Sequence, residues 1–191
     1  MIYGTVLCLG DSLTFGARSE YGRGYPEELS MRLTNHFKQE WSAINHGVNG
    51  ETSLDVLRRA FASIRSFATL PGAKWGTLLA GTNDSKNPDY PIELYKDNMR
   101  QIIQIFLRHD INLIIGTLPP VEGNCMPCFD SKRSNGWISS ANEAILALRE
   151  EYSLKLVTFE DLGNYLIDGV HMNYEGYCKM ADRWFEVIRD H

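Results

Sequence analysis

The chain has 191 residues, 43% hydrophobic and 23% charged, the balance of a globular protein able to bury a sizeable core as one domain, residues 1–191. Its 24 acidic and 19 basic residues leave a formal net charge of −5, which argues against a nucleic-acid partner, because such a partner selects basic patches. No apolar run approaches the roughly 18 residues of a membrane-spanning helix, and 4 cysteines in this length do not make a disulfide framework.

Short apolar runs alternate with helical patterns from one end to the other. The opening MIYGTVLCLG carries no basic leader and runs straight into the first strand, so a cytoplasmic location is expected. Strands are predicted at 3–9, 42–46, 75–80, 111–117 and 154–159, and helices at 25–38, 52–67, 92–108, 138–151 and 174–190. Strict alternation implies right-handed crossovers and a parallel sheet covered on both faces. The expected fold is α/β, a three-layer α/β/α sandwich with a five-stranded parallel sheet in flavodoxin-like order.

Ligands of such sheets bind beyond the carboxyl ends of the strands, so the residues just after each strand matter most. After the first comes GDSLT (10–14), after the second GVNGETS (47–53), after the third GTND (81–84) and after the fifth a loop ending in DGVH (168–171). A serine hydroxyl is a poor nucleophile until a base takes its proton. Histidine is the usual base at neutral pH, oriented by a carboxylate on its other ring nitrogen. Asp168 and His171 are three apart with Gly169 between them, a spacing that can fold the carboxylate back under the imidazole. Donors for a developing oxyanion are on offer from the Ser12 and Gly50 backbone N–H groups and the Asn83 amide. Ser12 alone has a structural explanation as a helix start, and Asn49 and Thr52 as caps of the helix near residue 52. Asp11 is expected to brace its loop by accepting backbone N–H bonds. Asp84 reads equally as a support for Asn83 and as a solvated turn acid.

These four ordered blocks resemble the GDSL (SGNH) hydrolase/esterase family. The resemblance implies that Ser12 is the nucleophile, His171 the base and Asp168 its orienting acid. It places Gly50 and Asn83 with Ser12 at the oxyanion, and requires neither metal nor organic cofactor. The blocks span residues 10–171, and the fold it implies agrees with the alternation above. The implied reaction is hydrolysis of a small-molecule carboxylic ester, a short-chain acyl or acetyl ester of a carbohydrate or aryl alcohol. Lysophospholipids and acyl thioesters are alternatives within the family. Tyr25-Pro26 stands where such members often carry Trp-Pro, which leaves the pocket shape open. From another class, a flavodoxin-like protein could hold a phosphate or cofactor on the hydroxyl-rich SLTFGARS loop (12–19). A phosphoacceptor receiver lacks its second acid and its lysine here, and no G-x-S-x-G elbow is present.

The stretch 119–137 exceeds the roughly 12–15 residues beyond which loops are often functional. Met126, Phe129 and Trp137 from it, and Tyr21, Arg23 and Tyr25 from the loop after Ser12, are expected to wall the substrate pocket; simple packing of the loops is the alternative. Cys125 and Cys128 lack the two further ligands a zinc site needs. Cys8 reads as core, His46 as a packed, hydrogen-bonded histidine, and His36, His109 and His191 as solvated.

Overall fold

The computed structural model describes residues 3–123 and 128–190. Five strands, β1 (Gly4–Gly10), β2 (Trp41–Gly47), β3 (Ala73–Leu79), β4 (Asn112–Gly116) and β5 (Lys155–Val157), form one sheet in the order β2-β1-β3-β4-β5. All neighbours pair in parallel. Every residue of β1 is buried, as expected of a strand covered on both faces, where alternation gives way to a continuous apolar run. Six helices connect and flank the strands: α1 (Ser12–Phe15), α2 (Tyr25–Phe37), α3 (Ser53–Ala68), α4 (Ile92–Leu107), α5 (Ser131–Tyr152) and α6 (Tyr174–Arg189). Helix α2 packs on α6, while α3 packs on α4 and α4 on α5, so two helical layers enclose the sheet. None of the helices among the described residues is long and apolar enough to cross a membrane.

The strands fall within about two residues of their predicted bounds at most ends, with two departures elsewhere. The four-residue helix α1 was not predicted; Asp11 caps it by accepting from Leu13 N–H at 2.9 Å. Helix α5 begins seven residues before the predicted start, with Asp130 accepting from Arg133 N–H at its N-cap. Its first turns are held by polar bonds, Ser134 Oγ to Ser85 O at 2.9 Å and Trp137 Nε1 to Tyr90 O at 2.8 Å. They therefore carry no apolar stripe before Trp137. The long connection after β4 thus ends at Asp130.

In this strand order the direction of winding reverses between β1 and β3, and the crevice at that reversal is where open α/β sheets bind ligands. Ser12 follows β1 and Asn83 follows β3, so the two lie on either side of it.

Candidate active site

The cleft at this edge has a volume of about 430 Å³ and is lined by Ser12, Phe15, Ala17, Arg18, Asn49, Gly50, Asn83, Lys86, Phe129, Val170 and His171. Ser12 sits at the first turn of α1, 4% exposed. Its Oγ lies 3.0 Å from His171 Nε2, and His171 Nδ1 lies 2.8 Å from Asp168 Oδ2. The carboxylate folds under the ring because Leu166 and Met172 pair as an antiparallel bridge and Ile167 N–H donates to His171 O at 2.9 Å. Gly169 makes the turn between them at φ +77, a conformation that costs a residue with a Cβ roughly 1 kcal/mol or more. Asp168 Oδ1 accepts from the Val170 and His171 backbone N–H groups at 3.1 and 2.8 Å. Partial burial works to raise the Asp168 carboxyl, but its bonds from the His171 ring, the His171 N–H and the Val170 N–H prevail and hold it below the usual carboxylate range.

Gly50 stands at φ +81. Its N–H makes no hydrogen bond among the described residues. Asn83 uses one amide N–H on Glu51 O at 2.9 Å, which leaves its second for the cleft. That bond ties the Gly50 loop to the loop after β3, and Asp84 adds a second tie. Asp84 is 4% exposed and accepts from Ser53 N–H at 2.8 Å and Ser53 Oγ at 2.6 Å; burial pushes its carboxyl up in spite of both bonds. It is a support of the site and not a solvated turn acid. Thr52 caps α3 by accepting from Asp55 N–H.

A residue that sequence reasoning passed over joins these loops from below. The Arg59 guanidinium, on α3, donates to Gly10 O and His46 O, both at 2.9 Å, and to Glu51 Oε2 at 2.7 Å. One side chain thereby fixes the ends of β1 and β2 and the segment carrying Gly50. Burial and the Arg59 charge both lower the His46 pKa, and among the described residues it is the His46 carbonyl, not its ring, that is hydrogen-bonded.

Of the expected pocket walls, Phe129 lines the cleft. Tyr25 does not: it is fully buried, with its hydroxyl 2.9 Å from Thr77 Oγ1 and 3.3 Å from Thr14 Oγ1, and its ring packs on Trp184. Trp137 is likewise a core residue, 5% exposed and edge-on to Tyr95. Tyr21 is exposed and leans on Tyr174, and Arg23 pairs with Glu28 at 4.0 Å; neither lines the cleft. Met126 and Cys125 lie outside the described residues. Phe15, Ala17, Arg18, Lys86 and Val170 complete the lining and were not anticipated, although each lies within a few residues of a motif block. No three His, Cys, Asp or Glu among the described residues are grouped to hold a metal ion.

Beneath Ser12, Asp11 is fully buried, with Oδ1 on the Leu13 N–H and Oδ2 without a partner among the described residues. Burial, and to a lesser degree the Asp84 charge, push its carboxyl up from 3.8 to about 7, against the Leu13 bond and Lys86. The folded protein thus holds this proton more tightly than the unfolded chain does. Below about pH 4 both states are protonated and nothing is lost. Between about pH 4 and 7 only the unfolded chain ionises, so stability falls as pH rises, by an upper limit of about 4 kcal/mol for three units. Above that range the loss is constant. Asp11→Asn is therefore expected to gain on the wild type in urea unfolding from pH 4.5 to pH 8. Any fixed cost of burying the amide offsets the variant equally at every pH. A difference that does not change with pH would remove Asp11 as its source.

Residues 8–178 match the GDSL-like lipase/acylhydrolase family. A serine poised on a histidine at the carboxyl edge of a parallel sheet is the constellation of a hydrolase, and the chain belongs to the GDSL-like lipase/acylhydrolase family. It is 25% identical to a multidomain esterase of Ruminococcus flavefaciens over 96% of its length, and spans only 28% of that relative. The fold is shared with a carbohydrate acetylesterase from Sinorhizobium meliloti, at TM-score 0.80 and 17% identity over 97% of this chain and 98% of that one. An aryl esterase from M. smegmatis superposes equally well, at TM-score 0.80 and 16% identity, with the same coverage of both chains.

Proposed function

We propose that this chain is a serine esterase that hydrolyses a carboxylic ester, an acetyl or other short acyl ester, through an acyl-enzyme on Ser12. The observation that carries the reading is the continuous Ser12–His171–Asp168 hydrogen-bond chain, with the free Gly50 N–H and the spare Asn83 amide hydrogen in the same cleft. His171 Nε2 takes the Ser12 proton as Oγ attacks the ester carbonyl. The tetrahedral oxyanion is met by the Ser12 and Gly50 N–H groups and by Asn83. His171 then gives the proton to the departing alcohol, and water, deprotonated by the same imidazole, releases the acid from Ser12. Asp168 holds the Nδ1–H tautomer and the imidazolium. No step calls on a metal or organic cofactor.

Space in the cleft favours a short acyl group. The cleft lies near the lower end of the roughly 300–1,000 Å³ range of small-ligand sites, and Phe15, Phe129 and Val170 are its larger apolar walls. That supports a short acyl group more than a long lipid chain, in keeping with the carbohydrate and aryl esterases that share the fold.

Asn83→Ala removes one oxyanion donor together with its bond to Glu51 O. The expected result is a fall in kcat of about 10²–10³ with KM changed by much less. Initial rates on p-nitrophenyl acetate test it. A loss confined to KM would mean that Asn83 binds the ground state and leaves the transition state unaided.

A further inference from the structure

The cleft is more cationic than the chain that builds it. The sequence holds 24 acids against 19 bases, yet among the described residues the ionisable side chains lining the cleft are Arg18, Lys86 and His171, without a carboxylate. Lys86 lies on the loop after β3, its Nζ 5.2 Å over the Phe129 ring, and it joins no ion pair among the described residues. Arg18 lies just past α1 in a left-handed conformation, φ +65, which is costly for a residue with a Cβ. That backbone is held in place because Tyr177 Oη donates to the preceding carbonyl, Ala17 O, at 2.7 Å. The Arg18 Nε is 3.7 Å from Asp168 Oδ2, its side chain is 64% exposed, and it makes no hydrogen bond among the described residues. A guanidinium has five N–H donors in a fork matched to carboxylate and phosphate; here the ion pair with Asp168 is made from Nε and leaves both NH₂ groups without a partner among the described residues.

Position assigns the partner. Arg18 stands beside the carboxylate behind His171, and His171 is the group that protonates the departing alcohol. We infer that the alcohol part of the natural ester carries an anionic group, a carboxylate or a phosphate, bound by Arg18 with Lys86 adding to the local positive potential. The inference rests on the ester-hydrolase reading above. Arg18 is on this account a specificity residue that touches substrate, and not merely a neighbour that steadies Asp168.

Three phenyl acetates separate these roles: 4-acetoxybenzamide, 4-acetoxybenzoate and 4-acetoxyphenyl phosphate, each enzymatic kcat/KM being divided by that ester's own hydroxide-catalysed rate. The wild type is expected to favour at least one anionic ester over the amide by about tenfold, the effect of one charge-assisted hydrogen bond. The larger of the two ratios names the group. In Arg18→Gln the ratio falls to near one; in Lys86→Gln it falls by roughly two- to threefold, as for a more exposed charge. Raising the salt concentration narrows the wild-type preference. Ratios near one in the wild type overturn the proposal. So does a preference that survives Arg18→Gln, or an Arg18→Gln loss shared equally by all three esters, which would place its role on Asp168. Dependence of the neutral ester's turnover on Ser12 tests the hydrolase reading separately. If no ester is turned over, calorimetric titration of the same three compounds into the protein gives the ratio of dissociation constants. A ratio near one, or one that survives Arg18→Gln, then overturns the proposal in the same way.

Discussion

Ser12→Ala is expected to lower kcat/KM on short esters by about 10⁴ or more, the scale on which loss of a serine nucleophile is felt, while the protein stays folded. The Oγ atom bonds to the His171 ring and the residue is 4% exposed, so deleting one hydroxyl leaves α1 and its Asp11 cap in place. Circular dichroism and thermal melting of the variant should overlay the wild type. What remains of catalysis is the contribution of the Gly50 and Asn83 donors and of the backbone N–H at position 12, all of which survive the substitution. The assay is a p-nitrophenyl series from acetate to laurate. Rates highest on acetate and butyrate fit the small cleft; rates highest on the long chains would move the substrate towards lysophospholipids or acyl thioesters. Hydrolysis retained by the variant sinks the assignment of Ser12.

The second large effect is expected of Asp168→Asn, a fall of about 10³–10⁴ in kcat. Asp168 serves two sets of donors at once. Oδ1 takes the Val170 and His171 backbone N–H groups, and Oδ2 takes the ring Nδ1–H. Asparagine has one acceptor oxygen for both. With that oxygen on the backbone donors, its NH₂ faces Nδ1 and selects the tautomer that carries hydrogen on Nε2. Such an imidazole points a donor at Ser12 Oγ and cannot take its proton. The turn itself keeps its backbone bonds, so the variant should fold. A rise in pH does not restore the lost activity if the tautomer is at fault, whereas a variant that had only become harder to deprotonate would recover. A pH–rate profile from about pH 6 to 9, a range that brackets ordinary histidine titration, distinguishes the two.

The sheet was legible because β1, β3 and β4 are short apolar runs whose two faces are both covered, and the helices between them keep a clear apolar stripe. The motif blocks could be gathered at one edge by topology alone, since each follows a strand. What the sequence did not carry was how far each side chain reaches. Tyr25, in the loop after Ser12, and Trp137, in the stretch after the fourth strand, were expected at the pocket, but their rings turn inward, each with a hydrogen-bond partner for its polar atom. Nothing in residue type separates an aromatic that walls a cleft from one that closes a core. Arg59 was missed for the opposite reason. Mid-helix it looks like one of many solvated cations, and only the backbone carbonyls of Gly10 and His46, which have no sequence signature, reveal its use. The polar start of α5 was hidden because serine hydroxyls and an indole N–H, rather than an apolar stripe, seat it on its neighbours. Arg18 and Lys86 could have been noticed as the two cations within six residues of Ser12 and three of Asn83.

The hydrogen bond between Ser12 and His171 joins residues 159 apart. During synthesis Ser12, the proposed nucleophile, leaves the ribosome first and must wait for His171, its proposed base. Until α6 docks, with Arg32 on Asp182 at 2.6 Å and Tyr174 Oη on Glu28 at 2.8 Å, the early strands can hold the serine in place with nothing to activate it. Closing so long a loop is among the slower kinds of contact a chain makes. On the proposed mechanism, a nascent chain that has not yet brought His171 to Ser12 has no esterase activity. In refolding, the return of turnover times the docking of the segment after β5, an event that a spectroscopic signal from the helices blends with everything formed before it.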